Sequence, residues 1–85
     1  MRLVYTYEGE RDPSFEDAMQ GVVQDYGQAR QLSSVATANG VNAVTIEVGL
    51  EREQPGEGLA EDLVRRLRAH ERVVDVAPEG AGRLY

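Results

Sequence analysis

No cysteine occurs in this chain of 85 residues, and neither lysine nor tryptophan does. Without cysteine there is no disulfide, no thiolate metal site and no CxxC chemistry. Without lysine, all nine basic residues are arginines, set against 15 Asp and Glu for a net charge of -6. Arginine-only usage fits a GC-rich coding sequence, and acid excess without lysine also resembles salt-adapted usage. That balance repels phosphate backbones and anionic lipid, so no nucleic-acid partner is expected. No apolar run approaches the roughly 18 residues of a membrane span. Met1 to Tyr7 alternates like a strand and lacks a signal-peptide pattern. Membrane insertion is therefore not expected, and the expected location is cytoplasmic.

The length suits one domain, expected over residues 1–78, with a Gly-rich flexible tail at 79–85. A domain of this size buries roughly 60 to 65% of its unfolded surface. That is one modest core, with no room for a deep enclosed active site.

Periodicity orders the elements. In Arg2 to Glu8, Leu3, Tyr5 and Tyr7 share one face and Val4 and Thr6 the other, which predicts a strand. Gly9-Glu10-Arg11-Asp12-Pro13 breaks it. Either Asp12 caps the following helix with Pro13 at its first position, or Ser14 caps it with Asp17 three residues on. Phe15, Ala18, Met19, Val22, Val23 and Tyr26 form one helical stripe. Gly21 interrupts that helix at a cost of about 1 kcal/mol against alanine, which a close approach to the sheet would explain. Gly27 sits where a left-handed terminal residue is wanted.

Arg30 to Ala38 predicts a second strand, small-sided and without charge after Arg30. Asn39-Gly40 predicts a hairpin with both residues at positive φ. Val44, Ile46, Val48 and Leu50 alternate with Thr45, Glu47, Gly49 and Glu51 in a third strand with one buried face. Glu53 to Gly58 is a loop. Leu59, Leu63, Val64 and Leu67 face inward from a second helix, whose outer side offers the pairs Glu61–Arg65 and Asp62–Arg66. Val73 to Ala77 is a last strand, stopped by Pro78. The order β-α-β-β-α-β predicts an α+β, ferredoxin-like two-layer sandwich: a four-stranded antiparallel sheet with two helices on one face.

Few residues carry obvious chemistry. His70, the only histidine, stands near a helix end without a second imidazole or a spaced carboxylate set, so no metal and no cofactor are expected. Glu8, Glu10 and Asp12 cluster in a loop expected to be solvated, whereas acid–base work needs a buried carboxyl with a raised pKa. The best candidate ligand site is that first loop: Gly9, Glu10, Arg11, Asp12, Ser14 and Phe15. It leads into a helix N-terminus, where the amides of Ser14 and Phe15 favour an anion and Arg11 adds a charge partner. Tyr5 and Tyr7 lie where RNA-recognition domains place stacking rings, but Thr45, Glu47 and Gly49 on the third strand supply neither an aromatic nor a cation. Arg11, Asn39 and Asn42 invite comparison with acylphosphatases, whose phosphate-loop pattern before the arginine is absent.

The segment Tyr7 to Phe15 resembles the ligand loop of ACT-like regulatory domains. Leu63-Val64-Arg65-Arg66-Leu67-Arg68 followed by Val73-Val74-Asp75-Val76 looks like their closing helix and strand. Ser14 follows Pro13 where the ACT loop carries glycine. Phe15-Glu16-Asp17-Ala18 and Tyr26, within Leu3 to Leu50, are similar to the soluble C-terminal module of an uncharacterised family of membrane-anchored proteins. On that resemblance the chain is a standalone relative or a soluble fragment. The resemblance implies a non-catalytic module that senses a small ligand or associates with itself. The alternatives are a ligand-blind protein-interaction domain and a small acylphosphatase-like or isomerase enzyme. The second strand is expected at a sheet edge with little protection against pairing. A homodimer through that edge (Arg30, Leu32, Ser34, Ala36) or the adjacent sheet face is the expected assembly. A small anionic metabolite is the expected ligand.

Overall fold

The computed structural model describes residues 1–49 and 58–78. The expected tail at 79–85, the strand end at Leu50 and Glu51, and the loop at 53–57 lie outside the described residues. The elements are β1 (Arg2–Glu8), α1 (Pro13–Gln24), β2 (Ala29–Ala36), β3 (Val41–Val48), α2 (Leu59–Arg68) and β4 (Val73–Pro78). The sheet is antiparallel with order β2-β3-β1-β4, the ferredoxin-like arrangement. β2 and β4 are its edges.

One face of the sheet holds the core. Leu3, Tyr5 and Tyr7 of β1, Val44, Ile46 and Val48 of β3 and Val76 of β4 meet Phe15, Met19 and Val23 of α1 and Leu63 and Leu67 of α2. Both helices therefore cover the same side, as period-2 strands and a 3.6-period stripe require. Register sets the rows of the other face. Arg30, Glu47 and Arg2 form one row, then Ser33, Thr45, Val4 and Ala77, then Val35, Ala43, Thr6 and Asp75, then Val41 and Glu8. No helix or strand among the described residues lies on this face.

One of the two expected caps is the one used, and several other local expectations are corrected. Asp12 caps α1: its backbone is extended and its side chain accepts from the Phe15 amide, with Pro13 in the first turn. Ala18 is exposed, and Glu16 turns inward in its place. Gly27 has no positive φ. Its constraint is contact: a Cβ there would stand 1.8 Å from the Gly49 carbonyl oxygen. Gly21 has no close approach to the sheet; it is exposed, and a Cβ would meet nothing within 4 Å.

The β2–β3 turn puts only Gly40 at positive φ, 78°, while Asn39 stays on the negative side. Thr37 N–H donates to Val41 O at 2.8 Å and Gly40 N–H to Thr37 O at 3.3 Å. That is a three-residue loop closed by a left-handed glycine, a longer connection than the two-residue turn expected. β2 runs Ala29–Ala36 and carries a β-bulge between Gln31 and Ser33, so the edge is less regular than its sequence suggests. On α2, Asp62 pairs with Arg65 at 3.7 Å, and Arg66 reaches Asp25 beyond α1 at 3.1 Å. Tyr26 Oη donates to Asp62 at 2.6 Å. Charges on α2 thus tie it to the end of α1, where the sequence suggests pairs along its own length.

Candidate functional site

At the end of the sheet where β1 gives way to α1, polar groups collect around a buried carboxylate. Glu16 is 2% exposed. It lies three residues before Met19 and seven before Val23, so the helix that buries those two turns Glu16 toward the sheet as well. It accepts from Tyr7 Oη at 2.5 Å, Ser34 Oγ at 2.9 Å and Gln31 Nε2 at 3.1 Å. Arg11 Nε stands 3.9 Å away, with its side chain 59% exposed. Burial alone would push the Glu16 carboxyl up. The bonds from Tyr7, Ser34 and Gln31, with the Arg11 charge, hold it below the ordinary carboxylate value. Burial, and then its bond to Glu16, raises the Tyr7 phenol above its ordinary value.

The loop is closed on itself. Tyr7 Oη also accepts from Asp12 N–H at 2.9 Å. Asp12 Oδ1 accepts from Phe15 N–H at 3.1 Å, and its Oδ2 accepts from Arg72 Nη1 at 2.9 Å. The Arg72 bond, then the Phe15 amide, hold the Asp12 carboxyl below its usual value. The Arg72 guanidinium lies 4.5 Å from the Phe15 ring centroid and 5.2 Å from that of Tyr7, close enough for cation–π attraction. Gly9, at φ 98°, donates its N–H to Gly40 O at 3.3 Å and accepts at its carbonyl from Asn42 Nδ2 at 2.9 Å. Asn42 is 2% exposed.

The structure gathers Gly9, Arg11, Asp12 and Phe15 around Tyr7 and Glu16, and leaves Glu10 and Ser14 exposed. The amide of Phe15 faces the Asp12 carboxylate. An external anion there has to displace that side chain. Arg11 lies beside Glu16 and Asn42 bonds Gly9, so two of the three residues compared with an acylphosphatase site have internal partners, and the third, Asn39, is exposed in the β2–β3 turn. Of the interface candidates, Arg30 pairs with Glu47 at 3.3 Å across the uncovered face, and Leu32 sits at the bulge, 36% exposed. Ser34 turns to Glu16, and Ala36 is an exposed residue opposite Asn42.

Sequence reasoning missed Glu16, Gln31 and Arg72. Helical spacing from Met19 and Val23 could have found Glu16. Nothing local points to Arg72, 60 residues from Asp12 in the chain.

Chemically, the cluster is saturated. A carboxylate held ionised by three donors and a phenol held protonated do not exchange protons near neutrality, which general acid–base catalysis requires. At the far end of the sheet a cleft of about 610 Å³ is lined in part by Met1, Arg30, Glu47 and Val48. It is remote from the cluster, and its polar groups pair within it: Arg30 with Glu47, and the Met1 ammonium with Val48 O at 2.9 Å. Among the described residues no three His, Asp or Glu side chains come together as a metal site, and no helix is long and apolar enough to cross a membrane. No protein-family model, no curated protein and no solved structure matches this chain.

Proposed function

We propose that this chain is a non-catalytic regulatory module of the ACT-like kind that acts by associating with a second copy of itself. The observation that carries the reading is the contrast between the two sides of its sheet. The covered side ends in a polar cluster whose acceptors and donors satisfy one another. The other side is bare among the described residues, with Val35, opposite Ala43, 56% exposed. A saturated cluster supports a positioning role for the loop rather than turnover. A bare face on a small domain supports association, which removes apolar surface from water.

Native mass spectrometry of freshly purified protein tests the reading. A species at twice 9.4 kDa is expected. A monomer alone at tens of micromolar, confirmed by light scattering, overturns it. The same spectrum tests for a small anion at Gly9 to Phe15 as an added mass per chain. Such a ligand must draw Asp12 away from the Phe15 amide, so Asp12→Ala should strengthen its retention.

A further inference from the structure

We infer that the second copy docks on the bare sheet face, sheet against sheet, and not along an exposed strand edge. This rests on the self-association reading above and names the surface it uses.

The edges are poor templates. On β4, Arg68 Nη2 donates to Val76 O at 2.8 Å and reaches Asp75 at 3.5 Å, so a charged side chain already occupies that edge, which ends at Pro78. On β2, the bulge between Gln31 and Ser33 interrupts the regular spacing that an added strand needs.

The face is different. Val4, Thr6, Ala43 and Thr45 form its centre on the two inner strands, half-buried only by their neighbours, and Val35 extends it across β2. Four strands about 4.8 Å apart, and the roughly 20 Å from the Arg2 row to the Glu8 row, give about 400 Å² in projection per copy. Side-chain relief makes the accessible area larger. Two such faces sum to about 800 Å² in projection, which side-chain relief brings toward the small end of specific interfaces.

Charge favours a copy of this chain as the occupant. The chain carries -6, and like charge opposes its self-association over most of the surface. On this face Arg2 and Arg30 stand against Glu8, Glu47 and Asp75, two cations against three anions, so its own charge is close to balance and repulsion between two copies is weak here. The row Arg30–Glu47–Arg2 alternates in sign. It is self-complementary under a two-fold axis along the strands, which sets Arg2 of each copy over Glu47 of the other. Sheets joined this way stack about 10 Å apart with interleaved side chains.

The test uses paired charge variants at the centre of the face, Thr45→Glu and Thr45→Arg, followed by size-exclusion chromatography with light scattering. Each alone should weaken the dimer roughly a hundredfold through like-charge juxtaposition. Their equimolar mixture should recover the doubled mass. Thr6→Glu and Thr6→Arg repeat the design should the first pair fail to fold, as judged by circular dichroism. A dimer that survives in both single variants overturns face docking and leaves an edge. So does a mixture that stays monomeric while each variant folds like the parent. A parent chain that is itself monomeric overturns the self-association reading instead.

Discussion

Tyr5 and Tyr7 stand two residues apart on the same face of β1. Both are fully buried, their ring centroids 6.2 Å apart, and both meet Phe15. Their hydroxyls have opposite fates. Tyr7 Oη donates to Glu16 and accepts from Asp12. Tyr5 Oη has no hydrogen-bond partner among the described residues. Cross-strand neighbours differ accordingly: Val44 and Val76 flank Tyr5, whereas Asn42 lies opposite Tyr7. The same residue type is a connector at the end of the sheet and an apolar filler with an idle hydroxyl at its middle. Burial pushes the Tyr5 phenol up, with the Glu16 charge and Tyr7 adding to it, so it stays protonated.

The sharpest way to break this comparison is Tyr7→Phe. The change takes one donor from a buried carboxylate and leaves the Asp12 amide without its acceptor. We expect a loss of about 2 to 3 kcal/mol in urea unfolding at neutral pH, since bonds to charged groups carry more than neutral ones. A loss below roughly 0.5 kcal/mol, the size of an ordinary surface change, means the cluster does not hold the loop.

Acid sharpens the comparison next. The folded Glu16 carboxyl titrates below its unfolded value, near 4.3 for a free glutamate side chain. Its contribution is therefore complete above that pH and is lost as the pH falls through the folded value. Glu16→Gln, which keeps the shape and removes the charge, should cost about 1 to 2 kcal/mol at neutral pH. The gap to the parent should close below about pH 4. Asp12 shifts in the same direction and adds to the acid sensitivity of both proteins. A gap that stays constant from pH 7 to pH 3 contradicts an ionised Glu16. Tyr5→Phe has a smaller effect of the opposite sign. Removing an unsatisfied buried hydroxyl should leave stability unchanged or raise it by about 1 kcal/mol. A loss as large as that of Tyr7→Phe would erase the distinction between the two tyrosines.

The two tyrosines also mark how far the sequence could be read. Alternation in β1 and β3 and the stripe of α1 place Leu3, Tyr5, Tyr7, Val44, Ile46 and Val48 correctly on one side, because period 2 and period 3.6 are local properties. Asp12 and Pro13 are legible as a cap for the same reason. Glu16 itself was legible from its spacing to Met19 and Val23, but its partners were not, since they depend on where the chain departs from period. Gln31 and Ser34 have opposite parity, and an unbroken strand would point them to opposite faces. The bulge at Leu32 adds one residue and turns both toward Glu16. Arg72 reaches Asp12 only because β4 returns beside β1, a contact set by topology. Gly27 reads as a helix terminator, yet its constraint is the Gly49 carbonyl of a different element.

Gly21 supplies the smallest and cleanest control. It lies on α1, the helix that carries Glu16, but it faces solvent, and a Cβ there has nothing within 4 Å. Gly21→Ala adds no contact and breaks none. It lowers the backbone entropy that the helix loses on folding, for a gain of about 0.5 to 1 kcal/mol. Because the gain comes from the helix alone, it should appear undiminished in the Tyr7→Phe background, within about 0.5 kcal/mol of additivity for sites that share no partner. A gain that vanishes in that background would mean that loss of the Tyr7 bond already frays α1. The cluster would then reach past the loop and hold the whole helix against the sheet.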